Sequence, residues 1–299
     1  MFHAAYAPTY PHPLPGSHRF PMQKYALLRQ QLEWEGIVDH DQWITPDQIA
    51  THHIIKAHDS DYLTKLERGQ WSRNEERKSG FPWSPALIER EKIIMEGTRL
   101  CARIAAQGGV ALNVAGGTHH AFRNRAEGFC LLNDLAIAAF DLLDQGLKRV
   151  LIVDLDVHQG NGTAQITQGI DAIYTFSMHG ASNYPLHKEQ SDRDIALPDG
   201  SGDLDYLSAL EHALDDISHN FQPEVILYQC GVDVLATDKL GRISLSLQGC
   251  KDRDRMVFDL ARNLGIGVAC AMGGGYSADV QTIVNAHMRT FRLARDAWT

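Results

Sequence analysis

The sequence predicts an α/β fold of three layers, a central, mostly parallel sheet with helices on both faces, and three observations carry that reading. Short apolar, strand-like runs recur along the chain. Amphipathic stretches long enough for helices fill the intervals between them, and this alternation is the pattern of a parallel sheet covered on both faces. The segments richest in chemistry-bearing residues each lie at or just past the end of such a run, where open sheets of this kind bind ligands.

Taken in order, FHAAYA (2–7) opens the sheet, and VALNVAG (110–116), RVLIVDLDVH (149–158), AIYTFSMH (172–179), VILYQCGVD (225–233) and GVACAMGGG (267–275) continue it. LNDLAIAAFDLLDQG (132–146) and LDYLSALEHALDDISH (204–219) read as helices, the first starting near Asn133 or Asp134, either of which can cap it. The stretch ERGQWSRNEERKSGFPWSP (67–85) is polar, charged and contains prolines, so it reads as a surface loop at the rim of a pocket. No repeat or low-complexity tract interrupts the chain, and 299 residues with 44% hydrophobic content can bury a core as one domain, 1–299.

The most informative run is VLIVDLDVHQGNG, 150–162, which sets Asp154, Asp156 and His158 at alternate positions on an apolar segment. A strand sends every second side chain to one side, so all three can face one pocket at its end. Three polar groups on a strand otherwise fit for burial are costly without partners, and a metal ion is such a partner. Three further segments supply what the metal needs: AGGTHHAFRNRAEGFCLLND (115–134) with His119 and His120, YQCGVDVLATD (228–238) with Asp233, and AMGGGYSAD (271–279) with Tyr276.

On GGTHHA, GFCLLND, VDLDVHQGNG, GVDVLATD and GGGY, with HPLPGSHRFPMQKY (12–25) and AHDSDYL (57–63) in support, the chain resembles the histone deacetylase family, within the arginase-deacetylase fold. HQGNG and SNYP (182–185) lean toward the class IV branch and its bacterial relatives. The resemblance implies Asp156, His158 and Asp233 as zinc ligands, three protein groups with a position left open, the arrangement of a catalytic zinc site. Fe²⁺ also suits this set, which is harder than a thiolate site. It further implies His119 and His120 as acid and base, Tyr276 as donor to the amide oxygen, and Asp154 behind His119. Asn161 stands behind His120, where class I enzymes carry Asp. A K⁺ site at Asp154, Asp156, His158, Ser177 and Met178 is implied too, the last two through backbone oxygen. The acyl-lysine tunnel falls to Phe129 and Tyr184 as walls, Gly117, Gly128, Gly274 and Gly275 as close approaches, and Leu240 at the rim.

The function implied is a zinc-dependent amidohydrolase that removes an acyl group, acetyl first, from the side-chain amine of acyl-lysine in proteins. A deacylase of acetylpolyamine or another small acylated amine is the alternative. An arginase-like dinuclear manganese hydrolase would need a second carboxylate cluster, yet Gly160 follows DVHQ and valines flank Asp233. A non-catalytic acyl-lysine-binding module would show degeneration, and every candidate group is present. A net charge of −9 argues against a nucleic-acid surface and tolerates a cationic substrate. Cys101, Cys130, Cys230, Cys250 and Cys270 are odd in number and widely spaced, which fits reduced thiols. No stretch reads as a membrane span or signal peptide, so the expected home is the cytoplasm.

Overall fold

Eight strands, all parallel, form one sheet in the computed structural model, which describes residues 1–16 and 18–298; Ser17, inside the HPLPGSHRFPMQKY motif, and Thr299 lie outside the described residues. The strands are β1 (Phe2–Ala5), β2 (Trp43–Ile44), β3 (Val110–Asn113), β4 (Val150–Asp154), β5 (Ile173–Gly180), β6 (Arg193–Leu197), β7 (Val225–Gln229) and β8 (Gly267–Ala271). The α-helices are α1 (Lys24–Trp34), α2 (Thr51–Ala57), α3 (Ser60–Glu67), α4 (Arg73–Ser79), α5 (Pro85–Ala105), α6 (Asp134–Asp144), α7 (Asn161–Thr167), α8 (Asp203–Asn220), α9 (Leu247–Leu264) and α10 (Val280–Trp298). In space the sheet runs β2-β1-β3-β8-β7-β4-β5-β6.

Both faces of the sheet are dry at its centre, and the strand residues alternate between them. Ala111, Ile152, Leu227 and Ala269 pack on one side with Ala102 and Ala105 of α5 and Leu135, Ala138 and Ala139 of α6. Leu112, Leu151, Tyr228 and Val268 face the other side, where Val257 and Phe258 of α9 and Phe291 of α10 cover them. Small residues on strands and α5 alike let that helix lie close to the sheet. Each fully buried Val, Leu or Ile contributes about 1.5–3 kcal/mol.

The strand order explains where a site must form. The chain goes from β3 to β4 leaving two places between them, which β8 and β7 fill later, so β3, β8, β7 and β4 are neighbours at the centre. Since all run parallel, the loops leaving their carboxyl ends converge over one crevice.

Two expectations need correction, and two edge strands had none. β4 stops at Asp154, so Asp156 and His158 stand on the loop beyond it. Strand alternation therefore does not aim them; hydrogen bonds in the loop do. The 67–85 stretch is not simply a loop, because α4 occupies its middle, closed at the start by a capping box between Ser72 and Glu75 and at the end by Gly80 at φ 80°. Strands β2 and β6, short or partly exposed at the sheet edges, have no clear apolar signature and went unread. Asn133 caps α6, accepting from the Ala136 N–H at 3.0 Å. All five cysteines are buried and unpaired. Among the described residues no helix is long and apolar enough to cross a membrane.

Candidate active site and metal centre

The four central strands deliver one cluster. Asp156 and His158 come from the loop after β4 and Asp233 from the loop after β7; one ligand atom from each lies within 4.8 Å of the others, and all three residues are buried. Backbone N–H groups hold the carboxylates in place. Asp156 accepts from His158 N at 3.1 Å and Gly274 N at 2.8 Å, and Asp233 accepts from Val157 N at 2.9 Å. Gly274 has to be glycine, because a Cβ there would stand 1.9 Å from the Asp233 carboxylate.

This donor set is short of positive charge. His158 Nδ1 sits 3.0 Å from Asp156 and 3.1 Å from Asp233. Burial opposes its charge, but the hydrogen bonds and charges of those two carboxylates push its pKa to about 10. Burial, and then the neighbouring Asp156, push Asp233 up to about 7. A buried Asp, His, Asp set strained in this way fits a divalent cation, with oxygen and nitrogen donors that suit zinc and tolerate harder ions.

Two imidazoles stand beside the cluster with unlike partners. His119 Nδ1 is 2.7 Å from Asp154 Oδ2, whereas His120 Nδ1 is 2.6 Å from Asn161 Oδ1. For His119, burial is outweighed by Asp154 and then Asp156, and its pKa rises to about 9. For His120, burial and the charges of His119 and His158 hold it well below the ordinary histidine value. The pair is aimed by the start of α6: Asp134 accepts from Gly117 N at 2.9 Å and Thr118 N at 2.8 Å, so a helix-capping segment also fixes the turn before the histidines.

A cavity of about 640 Å³ rises from this floor. Gly117, Gly128, Phe129, Tyr184, Leu240, Gly274 and Tyr276 line it with the two histidines. Gly275 does not; a side chain there would meet Val232 and Ile283 in the core, so the expectation that it shapes the tunnel is corrected. Gly128 needs its missing Cβ, which would come within 2.6 Å of the His120 ring. Tyr184 meets that ring edge-on, centroids 4.9 Å apart, and its hydroxyl donates to Glu127 at 2.6 Å. Tyr276 is held through its backbone N–H, which donates to Asp238 at 2.6 Å. Burial, then Asp156 and Asp233, keep its phenol well above the ordinary tyrosine pKa, hence protonated. Ser177 and Met178 are buried on β5, where Ser177 pairs in register with Asp154.

Several residues here were not read from the sequence as parts of the site. Asp238 ties the rim to the Tyr276 turn, accepting from Leu240 N and Gly241 N as well as Tyr276 N. Lys24 lies buried with its ammonium 3.0 Å from the Gly273 carbonyl and within 5.7 Å of the Tyr276 ring centroid. Burial lowers its pKa to about 8 against the pull of Asp233, Asp156 and Asp238. Arg253, fully buried on α9, donates to the carbonyls of Leu155 and Gly231 and so braces the two loops that carry Asp156, His158 and Asp233. All three stand inside or beside quoted motifs or on a plain helix, and a sequence pattern has no mark for a charge that serves backbone carbonyls.

Known proteins match this chain over most of its length. The chain is 40% identical over 298 residues to an uncharacterized protein of Picosynechococcus sp., covering 99% of both. It is 29% identical over 269 residues to histone deacetylase 2 of Arabidopsis thaliana, covering 87% of this chain and 70% of that one. The crystal structure of an HDAC homolog from Aquifex aeolicus superposes with a TM-score of 0.86 at 26% identity, over 99% of this chain and 84% of the other. A structure of an HDAC homolog complexed with SAHA matches with the same score at 25% identity, over 98% of this chain and 84% of that one. Homologues with this domain are hydrolases acting on amide bonds of acetylated substrates. With the histone deacetylase domain matched over residues 18–291, the chain belongs to the histone deacetylase family.

Proposed function

We propose that this chain is a zinc-dependent deacylase that hydrolyses the side-chain amide of acyl-lysine, with acetyl the first acyl group to test. The observation that carries the reading is the buried Asp156, His158 and Asp233 cluster faced by two imidazoles with different partners at the floor of one cavity. A divalent ion held by those three residues would supply Lewis acidity to a water and to the amide carbonyl. Among the described residues this is one cluster of three ligands, which favours a mononuclear site over an arginase-like dinuclear one.

The chain's own groups do the rest. His120, poorly basic and partnered by a neutral amide, is unprotonated near pH 7 and takes a proton from the attacking water as its oxygen bonds to the carbonyl carbon. His119, held charged by Asp154, stabilises the negative charge that gathers beside it. Tyr276 donates its O–H to the carbonyl oxygen, an oxyanion contact. The proton on His120 passes to the amine nitrogen as the C–N bond breaks, leaving a carboxylic acid and a free amine, and the acid's proton then moves to the amine to give carboxylate and ammonium. Phe129 and Tyr184 flank the acyl-bearing stem, and Gly117 and Gly128 leave room for it. The neighbouring Asp154, Ser177 and Met178, with Asp156 and His158, are the proposed K⁺ ligands.

The test is metal content together with turnover. One divalent ion per chain and hydrolysis of an acetyl-lysine peptide that a chelator stops and zinc restores are expected. Tight binding of acetyl-lysine without hydrolysis would turn the reading to a binding module, and two ions per chain to the dinuclear alternative. Rates across acetyl, butyryl and long-chain acyl-lysine peptides and acetylated polyamines define the substrate, with Fe²⁺ compared against Zn²⁺.

A further inference from the structure

The mouth of the cavity is cationic on a chain whose net charge is −9. Besides the buried Arg90, which pairs with Glu91, four charged side chains line it above the floor: Arg19, Lys78, Glu127 and Arg242. Two of these are already matched, Glu127 by Arg125 at 2.8 Å and Arg242 by Asp199 at 3.2 Å. Arg19 and Lys78 are exposed and have no carboxylate at ion-pair distance among the described residues.

Both belong to the same wall. The Arg19 guanidinium lies 5.1 Å from the centroid of the Phe129 ring. The Lys78 backbone carbonyl accepts from Gly128 N at 3.1 Å, and Ser79 O accepts from Phe129 N at 2.7 Å, so the end of α4 is stitched to the tunnel wall and carries the lysine with it. What sets Arg19 and Lys78 apart is their place: two exposed cations without a carboxylate partner stand together on one side of the entrance to the candidate active site. We infer that this side of the mouth is an anion subsite for a carboxylate on the substrate. Resting on the deacylase reading, it assigns as preferred substrates acyl-lysine beside Asp or Glu, or acyl-lysine with a free carboxylate. Acetylated polyamines would bring their remaining ammonium groups against like charge.

The experiment compares kcat/KM of the metal-loaded protein on end-blocked acetyl-lysine peptides flanked by Glu, Gln or Lys, on acetyl-lysine with a free carboxylate, and on a monoacetylated polyamine. The expected order is Glu over Gln over Lys, with a Glu to Gln ratio of about threefold to tenfold, the size of two exposed charge contacts. That ratio shrinks at about 0.5 M salt and falls toward one in the Arg19→Gln, Lys78→Gln double variant. If free acetyl-lysine outruns the Glu peptide, the carboxylate is the amino acid's own; if the peptide wins, it is a flanking side chain. A ratio near one in the parent, a ratio that survives the double variant, or preference for the polyamine overturns the subsite. Hydrolysis of no acylated amine at all would instead remove the deacylase reading beneath it.

Discussion

The floor and the mouth of the cavity are built by opposite means. At the floor every ligand carboxylate is buried and fixed by backbone N–H groups from a different strand's loop: Gly274 N after β8 serves Asp156, and Val157 N after β4 serves Asp233. At the mouth the groups are side chains in partial contact with water, Tyr184 at 41% exposure and Leu186 at 86%. A floor of that kind has one arrangement and fails as a unit, whereas a mouth of exposed contacts can change its preferences by small steps. Large losses common to all substrates should come from the floor and small, substrate-dependent ones from the mouth.

The largest effect is expected from the ligands. Asp156→Ala, His158→Ala and Asp233→Ala should each lose both the bound divalent metal and amide hydrolysis, since three ligands leave no spare. Metal analysis beside a rate assay checks this, and retention of both in any one variant would take that residue out of the site. Tyr276→Phe comes next: metal and substrate binding persist while kcat falls by roughly 10² to 10³, the loss of one oxyanion donor. An effect confined to KM would reduce Tyr276 to a positioning role.

A smaller effect sharpens the division within the floor itself. Asn161→Asp places a carboxylate against the His120 ring, 2.6 Å from Nδ1 in the parent, and raises a pKa that burial and the positive charge beside the ring depress. A base must be unprotonated to act, so the acid limb of the kcat/KM profile should move to higher pH. Because neighbouring groups titrate together, the limb belongs to the coupled set, but the difference between variant and parent keeps its sign. A limb that stays or moves down would defeat the assignment of His120 as base, as would a His120→Ala enzyme that outperforms His119→Ala.

The same contrast decides what could be read from sequence. The sheet was legible because both its faces are buried, so β3, β4, β7 and β8 appear as apolar runs; β2 and β6, at the edges, are not dry on both sides and left no such trace. The floor was legible because its residues sit in short contiguous motifs at strand ends. Even there the reasoning from alternation was wrong for Asp156 and His158, which a self-bonded loop aims and not β4. The mouth was harder. Its wall is completed by α4, from a segment whose polarity suggested only a loop although Ser72 and Glu75 at capping-box spacing marked a helix start. Lys24 and Asp238 serve backbone atoms far away in sequence, and only the folded chain brings these together.

The smallest effect tests the mouth. The Tyr184 hydroxyl donates to Glu127, which Arg125 also holds, and the ring meets His120 edge-on. Tyr184→Phe keeps the ring and that contact and removes one hydrogen bond at a partly exposed site, where the net worth of such a bond is about 0.5–1.5 kcal/mol. Glu127 stays paired through Arg125, so no carboxylate is left without a partner. The variant should therefore lose no more than about tenfold in kcat/KM, through KM and not kcat, because the hydroxyl makes no contact with the cluster at the floor. The loss should also differ between peptides of different flanking sequence, since what is loosened is the wall that the substrate stem and its neighbours touch. A fall in kcat near that of Tyr276→Phe, equal for every substrate, would place Tyr184 with the floor and break the division between the two regions.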